Sequence, residues 1–143
     1  MKSKKTGIRM IANLLVLVLV FSCMTFAANA VETRSSDCIS SYAGGAMWSG
    51  SNILVSFNIV ARETMTTLGA PTIVIQKWTS NGWTPAKTYY SSSTSGMTSS
   101  NTAFHSGSVT YYNAPAGTYR AKISFYAANS SKSDSKLFYT SAI

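Results

Sequence analysis

Thr118-Tyr119-Arg120-Ala121-Lys122-Ile123-Ser124-Phe125-Tyr126-Ala127 alternates without a slip. Tyr119, Ala121, Ile123, Phe125 and Ala127 fall on one side, and Arg120, Lys122, Ser124 and Tyr126 on the other. That period of two belongs to a strand with one face on a core and one on water. The strand is preceded by Asn113-Ala114-Pro115-Ala116-Gly117, a cluster of residues that turn the chain sharply.

The same pattern recurs on both sides of this segment. Toward the N-terminus, Asn52 to Ala61 places Ile53, Val55, Phe57 and Ile59 together, with Ser56, Asn58 and Arg62 opposite. Pro71 to Trp78 sets Ile73 and Ile75 against Val74, Gln76 and Trp78. It runs into Ser80-Asn81-Gly82-Trp83, where the Asn-Gly pair suits the positive φ angles of a tight hairpin. The return strand, Trp83 to Tyr90, contains Pro85, which lacks a backbone donor and so belongs on a sheet edge. Ser91 to Thr102 is polar and reads as a loop or an exposed strand with little to bury. Ala103 to Tyr112 alternates loosely, and after a polar turn at Asn129 to Asp134 a last strand runs from Ser135 to Ser141. No segment beyond residue 30 has helical spacing. The expectation is an all-β fold: a single antiparallel β-sandwich, immunoglobulin-like, of six to eight strands.

The first thirty residues are of another kind. Lys2, Lys4, Lys5 and Arg9 precede an apolar run from Met10 to Phe21, and Ala28 and Ala30 supply the small side chains of an A-x-A cleavage site. This is the pattern of an export signal, helical and removed after Ala30. A retained anchor is the rival, but Asn13, Ser22 and Thr25 interrupt the run, and Val31-Glu32-Thr33 rather than positive charge follows it. Lipidation at Cys23 is disfavoured by the bulk of Phe21. The expected organisation is a signal at 1–30, a flexible lead at 31–41 and the β domain at 42–143, with the protein secreted, extracellular or held at the cell wall.

Cleavage removes four cations and takes the formal net charge from +8 to +4. The remaining cations are scattered singly, so the hint of nucleic-acid binding in the basic full chain fades. One cysteine, Cys38, would remain, which allows no intramolecular disulfide and leaves pairing between chains as its redox option.

The phrase Ala116-Gly117-Thr118-Tyr119-Arg120-Ala121 resembles the turn and penultimate strand of immunoglobulin-like and fibronectin-like bacterial domains. The resemblance implies that Tyr119 ties the preceding corner to the sheet. Ile73 to Trp78 with its Asn81-Gly82-Trp83 turn, Gly117 to Ile123 and the closing Tyr139-Thr140-Ser141 also resemble a family of small secreted domains of unknown function from Gram-positive bacteria. That likeness spans most of residues 40 to 143 and implies localisation and fold, with no activity and no site.

The catalytic inventory beyond the signal is thin: one His, one Cys and the acids Glu32, Asp37, Glu63 and Asp134. A glycosidase needs two carboxyl groups held across a cleft, and Glu63 and Asp134 both fall in or near expected loops. A Cys38–His105 nucleophile and base would have to meet, yet one sits in the lead and the other in a weakly patterned strand. Zinc needs three or four protein ligands, and no phosphate loop follows Gly44-Gly45. The expectation is no enzyme, no cofactor and no metal. What the chain has instead is aromatic side chains: Trp48, Trp78, Trp83 and the pairs Tyr89-Tyr90 and Tyr111-Tyr112, of which one ring per pair should face outward. Trp83, Tyr89 and Tyr90 are the candidate ligand-binding strip, with Arg120 and Lys122 as polar neighbours.

Three classes of function fit. The first is a secreted binding or surface-interaction module for a cell-wall glycan, a host or matrix molecule, or a protein. The second is a structural exoprotein that self-associates through sheet edges or Cys38. The third is a small secreted toxin, bacteriocin or protease inhibitor.

Overall fold

A computed structural model describes residues 37–143; the expected signal and its cleavage site at Ala28 and Ala30 lie outside the described residues. Eight strands follow one another: β1 (Ile39–Ser49), β2 (Asn52–Met65), β3 (Thr67–Thr79), β4 (Gly82–Tyr90), β5 (Thr98–Ser99), β6 (Thr102–Tyr111), β7 (Tyr119–Ala128) and β8 (Ser133–Tyr139). They build two antiparallel sheets, one in the order β1-β2-β6 and the other β4-β3-β7-β8, with β5 paired to the start of β3. Sequence neighbours β2 and β3 lie in different sheets, as do β6 and β7. This is the crossed connectivity of an immunoglobulin-like sandwich.

The alternation read in the sequence sets the layers. Tyr119, Ala121, Ile123, Phe125 and Ala127 of β7 are buried, and so are Ile53, Val55, Phe57 and Ile59 of β2 and Ile73 and Ile75 of β3. These inner faces meet, and Phe125 sits among three rings, with Tyr42 at 5.1 Å, Phe57 at 6.1 Å and Phe138 at 6.4 Å between centroids. Burying a side chain of this size is worth roughly 1.5–3 kcal/mol, so the interleaved faces hold the two sheets together.

The Tyr119 expectation is met. Its hydroxyl donates to the Pro115 carbonyl at 2.6 Å, pinning the link between β6 and β7 to the first residue of β7. Trp48 and Tyr111 pack edge-on against the same ring, at 5.6 and 6.4 Å.

The structure differs from the sequence reading at three places. The domain begins earlier than residue 42: β1 starts at Ile39, and Cys38, Ile39 and Tyr42 are all buried. Residues 31–36 of the expected lead lie outside the described residues. The Ser91–Thr102 segment is anchored rather than loose, because Met97 is fully buried and its carbonyl accepts the Ala70 N–H at 2.8 Å. Gly69, at φ 152°, lets this loop approach; a β-carbon there would strike the backbone of Met97 and Thr98. Finally, the β3–β4 turn uses positive φ at Gly82 (87°) but not at Asn81. Thr79 pairs with Gly82, so Ser80 and Asn81 form the bend and glycine closes it.

Candidate functional site

The outer face of the β4-β3-β7-β8 sheet carries the cluster with most chemistry. Registration decides which side chains share it: Trp78 lies opposite Trp83, Gln76 opposite both Pro85 and Arg120, and Lys122 opposite Val74 and Tyr139. Four strands therefore contribute to one patch, which extends about 14 Å from β4 to β8 at the usual strand spacing of about 4.8 Å.

Arg120 is its centre. The guanidinium carbon lies 4.4 Å from the centre of the Trp83 ring and 4.5 Å from that of Tyr139. These rings come from the two outermost strands and flank the cation from either side of β7. Each such contact is worth about 0.5–1 kcal/mol at an exposed site. Arg120 also donates from Nε to Gln76 Oε1 at 2.8 Å. Its four terminal N–H donors have no hydrogen-bond partner among the described residues. Trp78 packs on Trp83 at 5.2 Å between centroids. Trp78 is 54% exposed and Tyr139 44% exposed, although large aromatic surface is ordinarily withdrawn from water.

Charge on this face is of one sign. Arg120 and Lys122 project from it, while the described acids lie elsewhere. Glu63 is on β2, paired with Lys132 at 2.6 Å, and that ammonium's hydrogen bond holds its carboxyl below the ordinary range. Asp134 stands opposite buried Ala127, in the inward register of β8, 3.6 Å from Lys136. Asp37 precedes β1.

Of the residues expected in the strip, Trp83, Arg120 and Lys122 share this face, and Tyr90 lies exposed on it opposite Thr72. Tyr89 does not belong. It pairs with inward Ile73, and its hydroxyl crosses to the Thr110 carbonyl of the other sheet at 2.7 Å. Desolvation there raises the Tyr89 pKa. The cause is a bulge: Ile75 pairs with Lys87 but Gln76 with Pro85, so Ala86 is an extra residue and the alternation of β4 reverses beyond it. The Tyr111-Tyr112 pair divides as expected, with Tyr112 exposed and Tyr111 against Tyr119. Trp78 and Tyr139 were missed as site residues. The outward position of Trp78 was readable, but only the strand order brings Tyr139 to Arg120.

No protein-family model matches the chain, and no curated protein matches it.

The remaining chemical groups are dispersed. His105 Nε2 lies 2.9 Å from the Gly96 carbonyl, and its ring packs on Phe57 at 5.8 Å, so it meets a loop and the core rather than Cys38. The Cys38 thiol is buried, which raises its pKa and removes it from the surface that a bond between chains requires. No group of three or more His, Cys, Asp or Glu suited to a metal ion occurs among the described residues. On the opposite sheet, a shallow depression of about 260 Å³ is lined by Ala43, Gly44, Gly45, Ser56, Phe57, Asn58, Phe104 and Ser106. It contains no ionisable side chain. Among the described residues no helix is long and apolar enough to cross a membrane.

Proposed function

We propose that the chain is an exported, non-enzymatic binding module that engages an extracellular ligand on the outer face of the β4-β3-β7-β8 sheet. The observation that carries the reading is Arg120 held between Trp83 and Tyr139 with its terminal donors uncommitted. Exposed rings gathered around a pre-positioned guanidinium combine apolar contact area with directional donors, the pairing found where surfaces recognise partners. Export rests on the basic start, apolar run and A-x-A site of the first thirty residues, and the likeness to small secreted domains of Gram-positive bacteria agrees with it.

The test is retention of the purified chain on insoluble polysaccharides and immobilised matrix proteins. At least one of these should retain it, and Trp83→Ala should weaken retention about tenfold or more, since aromatic anchors dominate such contacts. Retention that Trp83→Ala leaves untouched would refute the assignment of this face.

Self-association is a second reading, favoured by the sheet edges that, among the described residues, β1 and β6 form in one sheet and β4 and β8 in the other. Pro85 and the adjacent bulge blunt the β4 edge. Mass that rises with protein concentration would support this reading.

A further inference from the structure

We infer that the ligand of this face is a carboxylate-bearing polysaccharide, its sugar rings lying on the exposed Trp78 and Tyr139 and a carboxylate taken by the Arg120 fork. The inference rests on the binding-module reading and specifies its ligand.

Three observations converge. First, the Arg120 guanidinium carbon lies 4.4 and 4.5 Å from the centres of two aromatic rings that reach it from β4 and β8, and Nε donates to Gln76. The terminal N–H pairs that remain form a planar fork whose geometry matches a carboxylate, and such charge-assisted pairs are roughly twice as strong as neutral hydrogen bonds. Second, Lys122 adds a second cation in the next outward position of β7, and none of the described acids shares the face. An anionic ligand therefore meets attraction without a like charge beside it. Third, the rings of Trp78 and Tyr139 are exposed. A sugar ring offers an apolar C–H face to stack on such rings and a polar rim to the cations.

The topology favours a sugar chain over an acidic peptide. Extended peptides are taken along a sheet edge, in a groove or in side-chain pockets. Here the backbone groups of β3 and β7 are already spent on neighbouring strands, and the patch lies on a sheet face. A peptide main chain lying across the face of β3 and β7 would find no backbone partners there. A polysaccharide needs none, and the roughly 14 Å between β4 and β8 offers it successive contacts.

Binding of the purified chain to polygalacturonate, to the same polymer with its carboxyl groups methyl-esterified, and to polyglutamate separates the alternatives. Polygalacturonate should bind at least about tenfold more tightly than the ester, in line with one charge-assisted fork, and should exceed polyglutamate. Arg120→Ala should abolish the preference. Arg120→Lys should lose most of it, because an ammonium keeps the charge but neither the fork nor the planar stack. Unchanged thermal unfolding would show that each variant folds.

Equal binding to acid and ester would overturn the carboxylate assignment while leaving the binding module intact. Polyglutamate binding as tight as polygalacturonate would overturn the sugar assignment, and wild-type behaviour of Arg120→Lys would overturn the fork. Failure to bind any of the three polymers would overturn the inference, while retention on a matrix protein that Trp83→Ala abolishes would still uphold the module.

Discussion

Replacing Tyr119 by Phe removes one hydroxyl and leaves the rest of the corner in place. The ring is fully buried and keeps its edge contacts with Trp48 and Tyr111; what is lost is the 2.6 Å hydrogen bond to the Pro115 carbonyl. Pro115 is exposed, so water can reach the released carbonyl. No acceptor is stranded, and the cost is that of one net hydrogen bond, about 1 kcal/mol. For a domain of about a hundred residues this corresponds to a fall in Tm of about 5 °C. Tyr119→Ala deletes the ring as well and should cost about 3–5 kcal/mol.

The dependence on pH separates the hydrogen bond from general packing. Burial raises the Tyr119 pKa above its ordinary value. As pH rises through the unfolded-state value, near 10, the unfolded chain releases the phenolic proton while the folded chain retains it. The unfolded state then binds fewer protons, and stability falls with pH until the raised folded value is passed. Phe has no proton to release at this position. The advantage of wild type over Tyr119→Phe should therefore be complete below pH 10 and shrink above it. Urea unfolding at pH 7 and at alkaline pH measures both quantities. Equal stability of the two proteins at pH 7, or a gap that widens with alkalinity, would refute the reasoning.

Met97→Ala should destabilise by about 2–5 kcal/mol, read as a lower urea midpoint; a neutral result would mean that the Ser-rich loop does not plug the core. The Cys38 thiol should react with a disulfide reagent only at the rate of unfolding, since burial both covers it and raises its pKa. Fast labelling of folded protein would place Cys38 at the surface.

The strands with unbroken alternation were legible because each second side chain is apolar: Ile53 to Ile59 and Tyr119 to Phe125 declare their inner face residue by residue. β1 was not. After Tyr42 it runs Ala43-Gly44-Gly45-Ala46, with almost no side chain to carry a pattern. The structure shows why: a β-carbon on Gly44 would come within 2.5 Å of Ile123 Cδ1 and 3.3 Å of Phe138 Cε1. Glycine there leaves room for the side-chain tip of a neighbour some eighty residues away, and nothing local records it. Met97 was overlooked for a similar reason, as a single apolar residue among serines and threonines whose partner surface lies beneath the start of β3.

The candidate site was half legible. Alternation turned Trp78, Arg120 and Lys122 outward, and the hairpin placed Trp83 beside Trp78. The convergence of Trp83 and Tyr139 on Arg120 depends on strands β4 and β8 lying on either side of the β3–β7 pair. The inward Tyr89 depends on a one-residue bulge. Neither order nor register is written in any single strand.

The placement of the tryptophans gives the molecule two built-in optical probes. Trp48 packs on Tyr119 at the pinned corner, whereas Trp78 is more than half exposed and packs edge-on against Trp83 beside Arg120. Emission from the first follows the opening of the sandwich. Emission from the second pair, reachable by soluble quenchers, follows what settles on the surface. Folding and occupancy can thus be watched separately in one unlabelled sample.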